Sequence, residues 1–579
     1  MNYRVLIGGE AGYGIMTSGL LLSKIATHTG LHIFDYVQYP SLIRGGHNAY
    51  EVMISDSEVG TLMGPIDLLV CFDKRTYETH KDLLAEDAVV LHDPKEFAIE
   101  NSKIHAVSVP FRDILTAAQG SYMMKNTVLM GSLLAVMGGD VLWMHNVISQ
   151  EFGKKGQAIV DANIFFVNQG YEYVTKNFAT MIRPVFAKRT LDATQSVVMT
   201  GNDAFALGSV IGNCRLYAAY PMTPSSTVLA TLAGWQEKAN MVVRHSEDEI
   251  AVINTAIGAS FTGVRCAVGT SGGGFALMVE GLSLAGITES ALVVFLSQRP
   301  GPATGMPTWT EQGDLLFAVH AGHGEFPKII LAPGDIEEMV ELTAHAYNLA
   351  DIYQTPVIVL SDMLLSESHR DISRSTLQKI ESSYQVNRGK YILEADASYE
   401  RYAWSDDGIS PRLQPGYSGV YFQANSYTHE ANGHTSESAE DRLLEVAKRN
   451  AKTTTYLKSH FVLPQVYGDL EQAERILVGW GSTKAAGLAA THILAQSNVP
   501  VAYVHFSHVF PLDKQRLASL FQPAYLSKMV SVEQNSHAQF ARLLRQETGY
   551  DIQQALLRYD GRPMTAHDIV QFVAQSISK

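Results

Sequence analysis

Short apolar runs alternate with helix-like stretches over the first part of the chain. The runs at residues 5–7, 67–72 and 88–91 are continuously apolar, which is typical of parallel strands buried on both faces. Residues 17–27 and 126–137 space their apolar positions as packed helices do. This alternation predicts an α/β layer fold.

Two further α/β blocks are predicted downstream. The first begins near Gly201, has strand-like runs at residues 291–296 and 356–360, and contains a helix at residues 247–261 that is rich in small side chains. The second alternates a helix from Lys484 with strand-like runs. These runs occupy residues 476–479, 499–506 and 529–533.

The breaks in this pattern predict four segments. Periodicity fades over residues 182–196, where Arg-Pro and Lys-Arg interrupt it. A polar stretch rich in Ser, Gly and Tyr separates the last two blocks, and so much irregular chain predicts a segment that wraps a domain or forms an interface. The predicted segments are residues 1–185, 197–365, 366–460 and 461–579.

Length and composition narrow the class of protein. A chain of 579 residues exceeds one hydrophobic core, and 46% apolar with 18% charged residues is an ordinary globular mixture. The net charge of −14 argues against general nucleic-acid binding and against charge-driven attachment to anionic lipid. No run of about twenty apolar residues is present, and the first apolar run is too short for a signal peptide. We therefore expect a cytoplasmic protein without membrane contact.

The cysteines exclude one kind of centre. Cys71, Cys214 and Cys266 lie far apart and form no Cys-x-x-Cys pair. We expect no disulfide framework, and this chain alone cannot supply four thiolates to an iron–sulfur cluster.

Three turns carry candidate binding groups. The glycine-rich stretches at residues 8–14 and 269–274 fit either a phosphate at a helix start or a tight strand-to-helix turn, and neither has the spacing of a known nucleotide motif. Residues 220–226 (Tyr-Pro-Met-Thr-Pro-Ser-Ser) follow an apolar run, where an α/β sheet presents ligand-binding groups. The alternative for this turn is an ordinary helix cap at Ser225 or Ser226.

Several motifs, in the same order, resemble 2-oxoacid:ferredoxin oxidoreductases. One set resembles their α subunit and another resembles their γ component, so the chain is similar to a γ–α fusion over essentially its whole length. The α-like motifs lie at residues 220–226, 247–259, 270–274, 298–308, 407–412 and 433–434. The γ-like motifs lie at residues 8–14 and 39–48.

The resemblance implies a fold for each segment. Residues 1–185 are expected to form a γ-type α/β domain, and residues 197–365 a domain like those that bind the pyrimidine ring of thiamine diphosphate. Residues 531–535 end a predicted strand in a segment similar to the C-terminal domain of transketolases.

The resemblance also implies a reaction. A 2-oxoacid, coenzyme A and oxidised ferredoxin would give acyl-CoA, CO₂ and reduced ferredoxin, with thiamine diphosphate as the shared cofactor. In this family a separate β subunit carries Mg²⁺, the diphosphate and a [4Fe–4S] cluster, so an αβ or α2β2 assembly is expected.

Glu249 is the predicted catalytic residue. It is similar to the family glutamate that hydrogen-bonds N1′ of the aminopyrimidine ring, and Ser271 and Gly272 are expected beside the cofactor. The alternative for Glu249 is an acidic residue that complements a helix dipole, which is the reading kept for Glu247 and Asp248.

The predicted substrate-binding residues are Thr223, Arg299, Tyr220 and Pro221. Thr223 and Arg299 resemble the family contacts to the substrate carboxylate, for which a guanidinium offers a planar pair of donors. Trp309 stands where relatives often place a basic residue, which gives less support to a substrate with a second negative charge.

Two further sets of residues can each be interpreted in two ways. Arg44, Gly45, Gly46 and His47 form either a site for coenzyme A or another anion, or a loop ordered at an interface. His429 and His434 lack a third ligand, so a solvated surface is expected there and no metal site is predicted.

Two other functions stay open. A non-redox thiamine enzyme such as a transketolase or decarboxylase would carry a Gly-Asp-Gly motif, and the chain has only Asp560-Gly-Arg. A non-catalytic assembly subunit would not need Thr223, Glu249 and Arg299 together. Which 2-oxoacid is used does not follow from the sequence.

Overall fold

The computed structural model describes residues 1–40, 46–99 and 104–577. They form three large sheets covered by helices, which confirms the predicted multidomain α/β class. The chain divides into two compact units, one of residues 1–199 with 368–377 and the other of residues 200–367 with 378–579. Among the described residues, no helix is long and apolar enough to cross a membrane.

The first unit is built on an eight-stranded sheet. Its first four strands pair in parallel, and antiparallel pairs follow from the fourth strand to the seventh. In sheet order, the strands are His105–Ser108, Leu84–His92, Ile66–Cys71, Asn2–Glu10, His47–Ser55, His32–Gln38, His369–Ser373 and Ser196–Thr200. The helices are Ile15–His28, Lys74–His80, Phe111–Ala117, Lys125–Val136, Val141–Phe152 and Gln157–Asn177.

Glycine permits a close helix crossing in this unit. A Cβ at Gly131 would lie 1.9 Å from the carbonyl oxygen of Val167, and one at Gly170 would lie 2.0 Å from that of Val128. The helices Lys125–Val136 and Gln157–Asn177 therefore pack backbone to backbone, inside the apolar core of the unit.

A seven-stranded sheet forms the first layer of the second unit. All of its strands are parallel except the one at the His508–Phe510 edge. In sheet order they are His508–Phe510, Ile329–Leu331, Pro356–Asp362, Leu292–Gln298, Cys266–Thr270, Leu216–Ala219 and Val242–His245. The helices of this part are Gly201–Ile211, Ser226–Ala239, Glu249–Phe261, Gly272–Ile287, Leu315–His320, Ile336–Tyr353 and Met363–Glu367.

The same unit contains a five-stranded sheet from the last part of the chain. Four strands are parallel and the edge strand Gln465–Tyr467 is antiparallel. The strand order is Gln465–Tyr467, Val501–Phe506, Arg475–Trp480, Met529–Glu533 and Gln554–Leu557. The helices are Thr483–Gln496, Lys514–Leu517, Pro523–Leu526, Gln539–Thr548 and Ala566–Ile577.

The polar stretch is more ordered than the sequence predicts. It contributes the helices Arg374–Ser383 and Ala439–Ser459 and the paired short strands Tyr391–Ile392 and Arg412–Leu413. The expectation of irregular chain is therefore wrong for residues 439–459. That helix buries Glu445, Lys448, Arg449 and Lys452, so its inner face is charged and shows no apolar period.

Candidate functional site

Glu249 is held at the first position of a helix. The strand Val242–His245 ends four residues earlier, and Asp248 caps the helix Glu249–Phe261 by accepting a hydrogen bond of 2.8 Å from the backbone N–H of Ala251. The dipole-complementing reading therefore fits Asp248, whose side chain is the cap. Glu249 is a different case, because its side chain is only 3% exposed.

One oxygen of the Glu249 carboxyl group lacks a hydrogen-bond donor among the described residues. Its Oε1 atom is buried and has no partner among the described residues. Burial raises the pKa of this carboxyl group above its ordinary value, and the charge of Asp248 adds to the shift. An unpaired buried acceptor costs about 1–3 kcal/mol, so this atom is suited to accept a hydrogen bond from a ligand.

The second helix beside this carboxyl group begins with three glycines. It runs over Gly272–Ile287, and a Cβ at Gly274 would lie 2.3 Å from Glu249 Oε1 and 2.1 Å from Thr270 Oγ1. A Cβ at Gly272 would lie 2.6 Å from Asp314 Oδ2. The glycines at both positions therefore allow side chains of neighbouring elements to approach the backbone closely.

Ser271 occupies the cap position of the same helix without capping it. Its side chain makes no cap hydrogen bond, and its buried Oγ has no partner among the described residues. The unpaired hydroxyl group of Ser271 and the unpaired carboxylate oxygen of Glu249 thus lie on two elements that meet at Gly274.

The structure brings Arg299 and Thr223, two of the predicted substrate-binding residues, into contact. Arg299 directly follows the strand Leu292–Gln298, and its Nη1 donates a hydrogen bond of 2.7 Å to the carbonyl oxygen of Thr223. Burial lowers the pKa of the Arg299 guanidinium, and the nearby Asp314 opposes that shift. Tyr220 and Pro221 are exposed at the start of the same turn.

The topology explains this convergence. The strands Leu216–Ala219, Cys266–Thr270 and Leu292–Gln298 are parallel neighbours in the sheet, so their carboxyl ends share one edge. Ligands of open α/β sheets bind beyond that edge. Met222 connects two of the turns, because its sulfur lies 3.9 Å from Thr270 Oγ1.

Two carboxyl groups of this region were not predicted from the sequence. Burial raises the pKa of Asp314 to about 6 and that of Glu311 to about 7, and the charge of Asp314 contributes to the shift of Glu311. Asp314 also lies against Gly272 and within the electrostatic reach of Arg299. The site therefore holds two groups that change protonation near neutral pH.

Trp309 is covered by a cation from the last part of the chain. The Arg562 guanidinium carbon lies 3.4 Å from the centre of the Trp309 ring, and the backbone N–H of Thr310 bonds the carbonyl oxygen of Gly561. A positive charge therefore accompanies position 309 although its own side chain is neutral.

The predicted anion site of the first unit is described only in part. Arg44 and Gly45 lie outside the described residues. His47 follows Gly46 and begins the strand His47–Ser55, with its Nε2 2.8 Å from His80 Nε2. Burial lowers the pKa of both imidazoles, that of His80 to about 4. The pair is therefore neutral at pH 7, with one ring donating to the other.

The two histidines of the polar segment lie in different environments, since His434 is exposed and His429 is not. His429 is buried, and its Nε2 lies 3.0 Å from the Glu445 carboxylate, so the expectation of a solvated surface is wrong for His429. Glu445 lies on the buried, charged face of the helix Ala439–Ser459, so this imidazole packs against that face. Within residues 1–40, 46–99 and 104–577, no group of three or more His, Cys, Asp or Glu residues is arranged to hold a metal ion.

Five exposed apolar side chains lie on or beside the elements that carry the predicted site residues. Ile250 follows Glu249, Leu277 lies on the helix that Gly272 begins, and Met306 lies in the loop after Arg299. Tyr220, which follows the strand Leu216–Ala219, and Val242, which begins the edge strand Val242–His245, are also exposed. We refer to these five side chains as the apolar rim.

Comparison with known proteins gives matches over the whole chain. Residues 208–448 match the family described as pyruvate flavodoxin/ferredoxin oxidoreductase, thiamine diphosphate-binding, and residues 4–173 match pyruvate ferredoxin/flavodoxin oxidoreductase. The α subunit of 2-oxoacid:ferredoxin oxidoreductase from a Sulfolobus species is 31% identical over 637 aligned positions, which cover 100% of this chain and 97% of that protein. The 2-oxoglutarate oxidoreductase subunit KorA of Mycobacterium tuberculosis is 26% identical, with coverage of 100% and 92%.

A solved structure has the same fold along its full length. The 2-oxoglutarate:ferredoxin oxidoreductase of Magnetococcus marinus, solved with 2-oxoglutarate, coenzyme A and succinyl-CoA bound, superimposes with a TM-score of 0.90. It is 28% identical in sequence, and the match covers 100% of this chain and 99% of that one.

Proposed function

The chain belongs to the 2-oxoacid:ferredoxin oxidoreductase family as an α-type subunit, and from this premise we propose that it forms one half of a thiamine diphosphate site completed by a β subunit. The proposed reaction converts a 2-oxoacid and coenzyme A into acyl-CoA, CO₂ and one proton. The two electrons released pass to ferredoxin through a [4Fe–4S] cluster of the β subunit.

The unpaired carboxyl group of Glu249 carries this proposal. It is buried, its Oε1 atom has no donor among the described residues, and Gly274 leaves the space around it free of a Cβ. These features fit a ligand that offers a ring nitrogen or N–H group to Oε1, as an aminopyrimidine does. Ser271 is the second candidate contact to the cofactor, with Gly272 beside it, because its buried hydroxyl group also lacks a partner.

Thiamine diphosphate, when bound, supplies the carbon nucleophile for the 2-oxoacid carbonyl and an electron sink for the loss of CO₂. The part of Glu249 is to hold or release a proton at Oε1, and its raised pKa brings that exchange closer to neutral pH. The apolar rim would exclude water from the carboxyl group once a partner covers it, which strengthens the hydrogen bond.

Arg299 and Thr223 are the proposed contacts to the substrate carboxylate. Arg299 is half-buried and uses Nη1 on the carbonyl oxygen of Thr223, which fixes the direction of the guanidinium. Its remaining donors can then bind a carboxylate without a large loss of side-chain freedom. Tyr220 and Pro221 would border the same pocket.

Replacing Arg299 with glutamine is expected to raise the KM for the 2-oxoacid about 10- to 100-fold, because a charge-assisted hydrogen bond contributes about 1.5–3 kcal/mol. Part of the loss is expected in kcat if the carboxylate is also oriented for departure. Steady-state kinetics with the assembled enzyme measure both constants. Arg244→Gln, on an exposed arginine of the neighbouring edge strand, is the control. An unchanged KM in Arg299→Gln would remove this residue from the substrate site.

A β subunit is proposed because the three cysteines of this chain are too few to hold a [4Fe–4S] cluster. Cys71, Cys214 and Cys266 are all buried, and burial raises the pKa of each thiol, that of Cys214 to about 11. Such thiols are poor ligands for a cluster. The diphosphate, Mg²⁺ and the [4Fe–4S] cluster are therefore assigned to the partner, which would dock on the apolar rim. An αβ or α2β2 assembly satisfies this arrangement.

Reconstitution tests the proposed function. The chain alone is expected to show neither iron–sulfur absorbance nor turnover, and the chain co-purified with its β subunit is expected to reduce a viologen dye with a 2-oxoacid and coenzyme A. A panel of pyruvate, 2-oxoglutarate, branched-chain and aryl 2-oxoacids identifies the substrate. Turnover by the chain alone would refute the divided site. Absence of turnover with every 2-oxoacid in the assembled enzyme would refute the proposed reaction.

A further inference from the structure

A small cavity in the second unit is lined by unpaired hydrogen-bond donors. It lies between Ser260 near the end of the Glu249–Phe261 helix, Glu289 after the next helix, and Arg401 and Arg412 of the polar segment. It has room for a single water-sized group. The cavity is distinct from the Glu249 carboxyl group, which lies at the opposite end of the same helix.

Three buried donors in this lining have no partner among the described residues. They are Arg401 Nη1, Arg412 Nε and Ser260 Oγ. The side chains are 4%, 6% and 1% exposed, respectively. Buried donors without acceptors are rare in folded proteins, so an acceptor is expected between them.

Arg401 is also a buried cation without a carboxylate partner in the described chain. Its Nη2 donates to the carbonyl oxygen of Glu289 at 3.1 Å, and its guanidinium lies 4.8 Å from the centre of the Tyr402 ring. The Glu289 carboxylate is already paired, because Lys448 and Lys452 take its two oxygens at 2.5 and 2.6 Å.

The charges around the cavity do not balance. Arg401, Arg412 and Glu289 line the cavity itself. When the buried ion pairs of Asp351, Glu289 and Glu445 are included, six cationic side chains are more than nine-tenths buried, against three carboxylates. The cations are Arg265, Arg401, Arg412, Lys448, Arg449 and Lys452, and the carboxylates are Glu289, Asp351 and Glu445.

The excess charge cannot be removed by deprotonation of the arginines. Burial lowers the pKa of Lys452 to about 7, so a fraction of the Lys452 side chains is neutral at neutral pH. A guanidinium stays protonated in proteins, so Arg401 and Arg412 keep theirs. Burying an uncompensated charge costs several kcal/mol.

We propose that this cavity binds one halide-sized monovalent anion, held by Arg401, Arg412 and Ser260. Chloride accepts hydrogen bonds from all three donors and supplies one of the missing negative charges, whereas a water molecule would supply only the acceptor. The space is close to the minimum for one water molecule, so a halide requires the lining to move apart slightly, and a larger oxyanion such as phosphate does not fit. The anion would connect the polar segment to the helix that begins at Glu249.

Thermal unfolding of the full chain with its partner subunit tests the site. At equal ionic strength, sodium chloride is expected to raise Tm saturably by about 2–4 °C relative to sodium gluconate, whose anion is too large to enter. In crystals grown with sodium bromide, an anomalous peak is expected between Arg401, Arg412 and Ser260.

Variants separate the anion from general destabilisation. Arg401→Met is expected to abolish the difference between chloride and gluconate. Ser260→Ala is expected to fold and to need more chloride for the half-maximal effect, so the test does not depend on the stability of Arg401→Met. Arg388→Gln is the control, because Arg388 pairs with Asp351 in the same region and is less buried. That variant should lower Tm in both salts and keep their difference.

Two results would overturn the proposal. One is an equal Tm of the unmodified protein in both salts, and the other is the absence of a bromide peak in the cavity, which would identify its occupant as water. Retention of the full chloride effect in both Arg401→Met and Ser260→Ala would place the anion elsewhere and overturn the proposal as well.

Discussion

Replacing Glu249 with glutamine is expected to lower 2-oxoacid-dependent CO₂ release by about 10²–10⁴-fold, the usual contribution of a proton-transferring group. The substitution keeps the size of the side chain and removes its ability to carry a negative charge at Oε1. Assembly with the β subunit should persist, since Glu249 is buried and does not belong to the apolar rim. Release of labelled CO₂ and size-exclusion chromatography measure the two properties.

Glu247→Gln is the matched control for this prediction. Glu247 carries the same group two residues earlier, but it is exposed. Its replacement should leave the turnover nearly unchanged. Near-normal turnover in Glu249→Gln would instead remove Glu249 from the mechanism.

The same variant has an effect that does not depend on catalysis. Because burial raises the pKa of Glu249 in the folded chain, the folded state holds its proton at pH values where the unfolded state has lost it. This carboxyl group therefore destabilises the chain progressively as the pH rises above the unfolded pKa of about 4.3. The Tm of Glu249→Gln relative to the unmodified chain should thus be higher at pH 8 than at pH 4.5. An equal difference at both pH values would contradict the burial of an ionisable group there.

The positions of Thr223 and Arg299 were predictable from the sequence because the carboxyl ends of parallel strands lie at the same edge of a sheet. The apolar run before Arg299 predicts a buried strand, and the structure places Leu292–Gln298 there with Arg299 at its end. The turn containing Thr223 follows the strand Leu216–Ala219, two strands away in the same sheet. Their contact follows from that order.

Two carboxyl groups of the site were not predicted because their position in the sequence is that of ordinary helix-capping residues. Glu311 and Asp314 precede an apolar run, the usual place of helix-capping carboxylates, although Asp314 makes no side-chain cap. Their perturbed pKa values arise from burial by residues distant in sequence. Nothing in the local pattern distinguishes such carboxyl groups from solvated ones.

The helix Ala439–Ser459 illustrates a second limit. Hydrophobic periodicity identifies helices through their buried apolar positions. Here the buried positions recur with helical spacing but carry Glu445, Lys448, Arg449 and Lys452. Only the partners explain why they are inside, since Glu289 accepts both lysines from another part of the chain.

Replacing Gly274 with alanine is expected to reduce turnover of the assembled enzyme about 10²-fold, because displacement of a reacting group by about 1 Å has effects of this size. The added Cβ would lie 2.3 Å from Glu249 Oε1 and 2.1 Å from Thr270 Oγ1, so at least one of these groups must move. The concentration of thiamine diphosphate that gives half-maximal activity should rise as well. Titration of the apoenzyme with the cofactor measures this shift.

Gly273→Ala separates the close contact from the properties of alanine. The nearest neighbour of a Cβ at Gly273 is the Met222 methyl group at 3.8 Å, an ordinary van der Waals contact. Both substitutions place alanine in the first turn of one helix, where alanine is favoured over glycine by up to about 1 kcal/mol. Gly273→Ala should therefore keep its activity and its fold. Equal activity of the two variants would show that Glu249 does not need its present position, and the function assigned to its carboxyl group would then fail.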